Sequence, residues 1–264
     1  MRRNKNHPSR FGAKTTPLVD LIELSRRIGN DPVRFAILGE GNTSTRSGAD
    51  TFWIKASGTS LATAQRDSFT ECRRSVLAPL WEADDLPDAE IDRLLMDSRV
   101  KANSRKPSTE ALFHAYLLSL PAIEWVAHTH PIAVNGILCS PRATDFAKFR
   151  MFPDEIVCGG EESVWVPYTD PGVPLAKAIR HGVEDHQRNT GTMPRMILLQ
   201  NHGLIALGPS AGSVEATTRM AEKAAGIFLG AASLGGPVFL PSSQVRRISG
   251  RPDELYRQKQ LKLA

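Results

Sequence analysis

The sequence predicts a single α/β domain followed by a C-terminal tail, and three observations carry that reading. Helix-period and strand-like segments are interleaved along the whole chain. No repeat, low-complexity tract or linker divides it. Its 264 residues, 41% hydrophobic and 23% charged, suffice for one well-buried core of ordinary soluble composition.

The elements follow in order. Residues 1–15, from "MRRNKNHPSRFGAKT", are basic and lack an apolar run after them, so they read as a flexible arm and not as a signal peptide. The folded region is expected over 16–235. Thr16 as N-cap and Pro17 at N1 open a helix whose apolar positions, Leu18, Leu21, Ile22 and Ile28, run to a stop at Gly29. "RFAIL" and "TFWIKAS" then read as strands flanking a turn-rich loop, "GEGNTSTRSGAD". A polar connector with a helix near "DSFTECRRSVLAPLWEA" leads to "PSTEALFHAYLLSL", a helix with Ser108 or Thr109 as cap. Strand-like pieces follow at 124–130, 155–158 and 164–167. "PGVPLAKAIRHGVEDHQRN" is a helix, "RMILLQ" and "LIALG" are strands separated by "NHG", and an Ala-rich helix capped by Ser213 runs to about Leu234. Residues 236–264 are read as the tail.

Several classes of function are disfavoured. Lys and Arg outnumber Asp and Glu by 33 to 28, an excess that suits a small anion at least as well as nucleic acid. The basic residues form no block and do not alternate with aromatics, which argues against nucleic acid as a partner. No window approaches the roughly 20 apolar residues of a membrane span. Cys72, Cys139 and Cys158 are far apart and odd in number, giving neither a CxxC pair nor a disulfide framework, and a cytoplasmic setting fits them best.

The chemistry concentrates in "WVAHTHP". In a strand, residues i and i+2 share a face, so His128 and His130 stand together while Thr129 points away, and Pro131 ends the ladder beside them. A bare HxH pair fits a satisfied strand end as well as a metal site. A third histidine in similar context, His202 in "MILLQNHGLIALG", tips the balance, because three imidazoles with an open position form a recognised catalytic zinc set; manganese, cobalt or nickel would also suit it. His114, on the apolar helix, reads as packed or hydrogen-bonded, and His181 and His186 as surface residues. Glu110 lies in the first turn of its helix, where the macrodipole alone favours a carboxylate, yet that helix leads into the histidine strand, so Glu110 is also a candidate ligand or general base. "GEGNTS" and "ASGTS" offer the small residues and hydroxyls that surround phosphate. The first is neither a Rossmann fingerprint nor a Walker loop. With Ser108, Thr109 and Lys55 these loops would form one anion cradle.

Taken together and in this order, "GEGNTS", "IKASGTSL", "PSTEALFHA", "WVAHTHP" and "LLQNHGLIALG" resemble the class II aldolase/adducin family over about residues 18–230. The resemblance implies a three-layer α/β/α sandwich around a mainly antiparallel sheet, assembled as a homotetramer. It implies His128, His130 and His202 as metal ligands and Glu110 as the acid/base. Gly41, Asn42, Ser57, Gly58, Ser108 and Thr109 would hold the substrate phosphate, with Thr109 at a place where several members carry serine. The implied activity is a metal-dependent lyase, retro-aldol cleavage of a phosphorylated keto sugar through a stabilised enediolate; the same family offers decarboxylases, a sugar-phosphate 4-epimerase and the non-catalytic adducin head. A family tyrosine that assists protonation matches Tyr168 or Tyr256 without a diagnostic motif. "VWVPYTDPGVPLAKAI" is similar to a segment in aldolase modules fused to dehydrogenases, and no dehydrogenase half is expected within these residues.

Overall fold

The computed structural model describes residues 16–83 and 86–260, so the expected arm at 1–15 lies outside the described residues, as do 261–264. Seven strands form one sheet: β1 (Asn42–Arg46), β2 (Thr51–Lys55), β3 (Phe69–Arg73), β4 (Trp125–Thr129), β5 (Val164–Val166), β6 (Met196–Leu199) and β7 (Gly203–Gly208). Their spatial order is β3-β2-β1-β4-β7-β6-β5, antiparallel throughout except for the β5–β6 pair. Around the sheet lie α1 (Pro17–Gly29), α2 (Arg74–Leu77), α3 (Asp88–Asp97), α4 (Ala111–Leu117), α5 (Ile132–Leu138), α6 (Ala143–Lys148), α7 (Pro153–Gly159), α8 (Val173–Thr190), α9 (Ala211–Ala232), α10 (Ser242–Ser249) and α11 (Pro252–Gln260).

The alternation of strand side chains divides the helices into two layers. Phe52, Ile54, Val126, Ile205 and Leu207 project to one face and pack with Leu112, Phe113 and Tyr116 of α4 and Leu175, Ile179 and Val183 of α8. Ala127 and Ala206 project to the other face against Leu24 and Ile28 of α1 and Val214 of α9. On that same face Leu198 and Leu204 meet Val134 of α5, Phe146 of α6 and Phe228 of α9. The result is the three-layer α/β/α sandwich with a mainly antiparallel sheet.

The local differences from the sequence reading have physical causes. "RFAIL" is not a strand; it forms turns, with Arg34 and Leu38 at positive φ and Phe35 buried, and its Phe35 carbonyl accepts the His130 N–H at 2.8 Å. The strand in this region is instead β1, inside the segment read as a loop, because its Asn, Ser and Thr side chains find buried hydrogen-bond partners. Residues 155–158 belong to helix α7, opened by Pro153 at its first position. Glu110, not Ser108 or Thr109, occupies the N-cap position of α4. The cap of α9 is Ser210, which accepts from Ser213 N–H while Ser213 Oγ accepts from Ser210 N–H, a reciprocal capping box. Helices α3, α5 and α6 lie where no element was expected. His186 is buried, 8% exposed, with Nδ1 3.7 Å from Glu162, and so is not a surface residue, whereas His181 is exposed. Beyond α9 the chain returns to the body through α10, whose Val245 and Ile248 pack on Ile156 of α7.

Candidate metal centre

Strand β4 carries the centre because of what flanks it. On one side β1 pairs with it in the register Asn42↔His128 and Ser44↔Val126; on the other, β7 pairs in the register His128↔Ile205. Asn42, Ser44, Val126 and His128 therefore all look toward the α4 layer. Two glycines permit this closeness. A Cβ on Gly41, at φ +64°, would stand 2.6 Å from the His128 carbonyl oxygen, and one on Gly203 would stand 2.6 Å from the Thr129 carbonyl and 2.7 Å from His130 Cδ2. His202 is presented by the tight β6–β7 turn, in which Asn201 takes the left-handed conformation at φ +54°. Asn135 of α5 donates to the His202 carbonyl at 3.0 Å and pins that turn.

The three histidines, from two distant parts of the chain, converge. Their ring centroids form a near-equilateral triangle with sides of 4.8, 4.8 and 5.2 Å, and one ligand nitrogen from each lies within 4.8 Å of the others. His128 is fully buried, and its Nδ1–H donates to the Leu204 carbonyl at 3.0 Å, which leaves Nε2 as a lone pair aimed into the cluster. His128 Nε2 and His130 Nε2 are 3.0 Å apart. Two nitrogens bound to one tetrahedral ion at about 2.0–2.1 Å stand roughly 3.3 Å apart, so the spacing fits a shared cation.

Electrostatics agrees. Burial, and then the neighbouring imidazole of His202, push the His128 pKa down to about 3; burial and the other two rings push His130 down to about 4. Neutral imidazoles are the metal-binding form. The donor set, three imidazole nitrogens with the His130 and His202 side chains 22% and 17% exposed, fits a divalent ion with an accessible face.

Glu110 completes the centre. Its Oε1 lies 3.5 Å from both His128 Nε2 and His202 Nε2. Its Oε2 accepts from Asn42 Nδ2, and Asn42 Oδ1 is in turn hydrogen-bonded by His114 Nε2. His114 is fully buried, so the sequence reading of it as packed and hydrogen-bonded describes it well. The polar loops converge on the same corner. Ala56 bridges Pro107, Ser57 N–H donates to the Lys106 carbonyl at 2.9 Å, and Ser108 Oγ is 3.4 Å from Asn42 Nδ2. Lys55, 2% exposed, ties the loops together by donating to the Gly39 and Thr59 carbonyls; burial lowers its pKa and the negative charge of Glu110 opposes that shift. Gly58, at φ +73°, has open space where a Cβ would be.

The two tyrosines fare differently. Tyr168 is exposed, but its N–H donates to the Gln200 side chain beside the His202 turn, and its hydroxyl donates to Asp170 at 3.0 Å. Tyr256 is exposed on α11, whose Arg257 and Gln258 are bound to Asp154 and Arg195. Sequence reasoning missed Glu40, whose Oε2 is 3.9 Å from His130 Nδ1, although it stands inside the quoted "GEGNTS". It also missed Ser44, for which a position two residues from Asn42 was the available signal.

One histidine at the end of β4, a second just beyond it, a third on the adjoining hairpin and a carboxylate 3.5 Å from two of them define an α/β/α protein whose three-histidine cluster could hold a divalent cation. Comparison with known proteins supplies the family. The sequence profile of the class II aldolase and adducin N-terminal domain matches residues 20–229, and the chain belongs to that family. A Bacillus subtilis (strain 168) protein described as the uncharacterized oxidoreductase YuxG is 31% identical over 197 residues, 72% of this chain; the match spans only 26% of that relative's length. Among solved structures, the N-terminal class II aldolase domain of a conserved Thermoplasma acidophilum protein superposes with a TM-score of 0.64 at 24% identity, covering 87% of this chain and 100% of that one. An L-fuculose 1-phosphate aldolase superposes with a TM-score of 0.65 at 16% identity, covering 92% and 98%. These likenesses establish the fold. No described helix is long and apolar enough to cross a membrane.

Proposed function

We propose that this protein is a metal-dependent lyase that cleaves a phosphorylated keto sugar by retro-aldol chemistry. The observation that carries this reading is the placement of Glu110 Oε1 at 3.5 Å from two of three converging histidines. His128, His130 and His202 would hold the ion, with zinc favoured by an all-imidazole set and manganese, cobalt or nickel as alternatives. When bound, the ion supplies Lewis-acid stabilisation of negative charge that develops on the substrate's oxygens.

The chain's own residues do the rest. Glu110 Oε1 is the proton-transferring atom, held by the bond that Oε2 accepts from Asn42. Gly41, Asn42, Ser57, Gly58, Ser108 and Thr109 bind the phosphate, and the buried Lys55 gives their corner positive charge. That grip decides which carbon lies beside Glu110. Tyr168, on the loop tied to Gln200, is favoured over Tyr256 as an assisting acid because it lies next to the His202 turn. A cytoplasmic homotetramer is the assembly we favour. A decarboxylase or a 4-epimerase would use the same parts.

The test is retro-aldol release of dihydroxyacetone phosphate from a panel of ketose 1-phosphates, measured with and without chelator. The expected outcome is turnover abolished by chelation and restored by zinc or manganese, and stoichiometric metal in the wild type that is lost in His128→Ala. Turnover that survives complete metal removal overturns the reading. Carbon dioxide release or a new epimer from the same panel would replace the aldolase with its relatives.

A further inference from the structure

Ser44, His114, Asn42 and Glu110 form one continuous hydrogen-bonded chain that reaches from the sheet interior to the metal centre. Ser44 Oγ lies 2.6 Å from His114 Nδ1, His114 Nε2 meets Asn42 Oδ1, and Asn42 Nδ2 meets Glu110 Oε2. Each link has only one workable polarity. Reversing the Asn42 amide would set its oxygen against a carboxylate oxygen, two acceptors facing each other, so Nδ2 faces Glu110 and Oδ1 faces His114. A carbonyl-type oxygen accepts only, so His114 Nε2 carries the hydrogen. A neutral ring then has a lone pair at Nδ1, and the Ser44 hydroxyl donates to it.

We propose that His114 is a positioning residue for Glu110: through Asn42 it decides which carboxylate oxygen is anchored and which is free to move a proton. The inference rests on the reading of Glu110 as the acid/base group and deepens it. With Oε2 held by Asn42, the oxygen left facing His128 and His202 is Oε1. His114 itself lies outside the three-histidine cluster; it is fully buried, against Phe113 with ring centroids 4.7 Å apart. Burial also drives its pKa well below the ordinary histidine value, which keeps the ring neutral and the chain at one hydrogen per link.

Two measurements test the proposal without any turnover. Nitrogen-15 NMR of the zinc-loaded protein, with the His114 signals assigned by their loss in His114→Gln, should show a neutral ring protonated at Nε2; a ring protonated at Nδ1 overturns the proposal. A crystal structure of His114→Leu, or of Ser44→Ala if the leucine variant does not fold, should show the Glu110 carboxylate displaced from the two histidines. A carboxylate left in place overturns it.

Kinetics give the third arm. His114→Leu should lose about 10- to 100-fold in kcat, the usual cost of removing an outer partner of a catalytic group, with zinc stoichiometry unchanged. His114→Gln, whose amide can still donate to Asn42, should recover most of that loss. A folded, zinc-loaded His114→Leu with wild-type kcat sinks the idea. If no sugar phosphate is turned over by the wild type, the lyase reading fails, and the NMR and crystallographic arms still decide this one.

Discussion

The histidine strand β4 lies between two unlike neighbours. On one side β1 reads Asn-Thr-Ser-Thr-Arg and buries four polar residues, each at most 3% exposed; on the other, β7 reads Gly-Leu-Ile-Ala-Leu-Gly and is fully buried and apolar after its first glycine. Both pair with β4 in the same antiparallel manner. The polar neighbour supplies specific hydrogen bonds: Asn42 to Glu110, Ser44 to His114 and, on the opposite face, Thr43 to Ser25 of α1 at 2.6 Å. The apolar neighbour supplies a rigid wall and one backbone acceptor, the Leu204 carbonyl that orients His128. The difference teaches that β1 holds the chemistry in its orientation, while β7 holds the sheet together.

That division can be broken at either strand. The largest effect is expected on the polar side, at the end of the chain that starts on β1. Glu110→Gln keeps the size of the side chain and should keep the fold, yet should lose about 10²- to 10⁴-fold in kcat, the usual contribution of a positioned acid/base group. Near-normal turnover in that variant would reassign the proton transfer.

On the apolar side the loss should fall on stability. Ile205 is fully buried opposite His128 and packs in the core shared with α4 and α8, so Ile205→Ala is expected to cost about 2–5 kcal/mol in denaturant unfolding. If Ile205→Ala instead leaves unfolding unchanged and abolishes turnover, the proposed division of labour is wrong.

The smallest effect, per pH unit, is acid sensitivity of the metal-free protein. His128 and His130 have folded pKa values lowered to about 3 and about 4, against about 6.5 when unfolded. Between those values the unfolded chain binds the proton that the folded chain refuses, so stability falls as pH drops below about 6.5, by up to about 1.4 kcal/mol per pH unit for each histidine. Above about pH 7 both states are neutral at these rings and their contribution is flat. Melting of chelator-treated protein from pH 8 to pH 5 checks this; a midpoint unchanged from pH 7 to pH 5 would contradict it.

Much of the molecule was legible from residue patterns alone. The i, i+2 spacing of His128 and His130, the apolar runs on both sides of "NHG" and the helix after "PSTE" each follow from local periodicity, and they point to four of the elements that carry the centre, β4, β6, β7 and α4. What local patterns misread was polar strand β1, where clustered Gly, Asn and Ser resemble a loop. Its partners, His114 on α4 and Ser25 on α1, lie 70 and 18 residues from the side chains they satisfy. The burial of His186 was hidden for the same reason, because its cover comes from other parts of the chain.

By itself, then, the sequence determined the α/β class, the family and the residues able to bind a cation, because those depend on side-chain type and short-range spacing. Only the tertiary structure decided that His202 meets the other two histidines and that Glu110 is gripped through one oxygen. It also decided that a buried asparagine and histidine point that grip. Those are distances between segments far apart in the chain, set by sheet register and by two glycines, Gly41 and Gly203, at which any side chain would collide with the histidine strand.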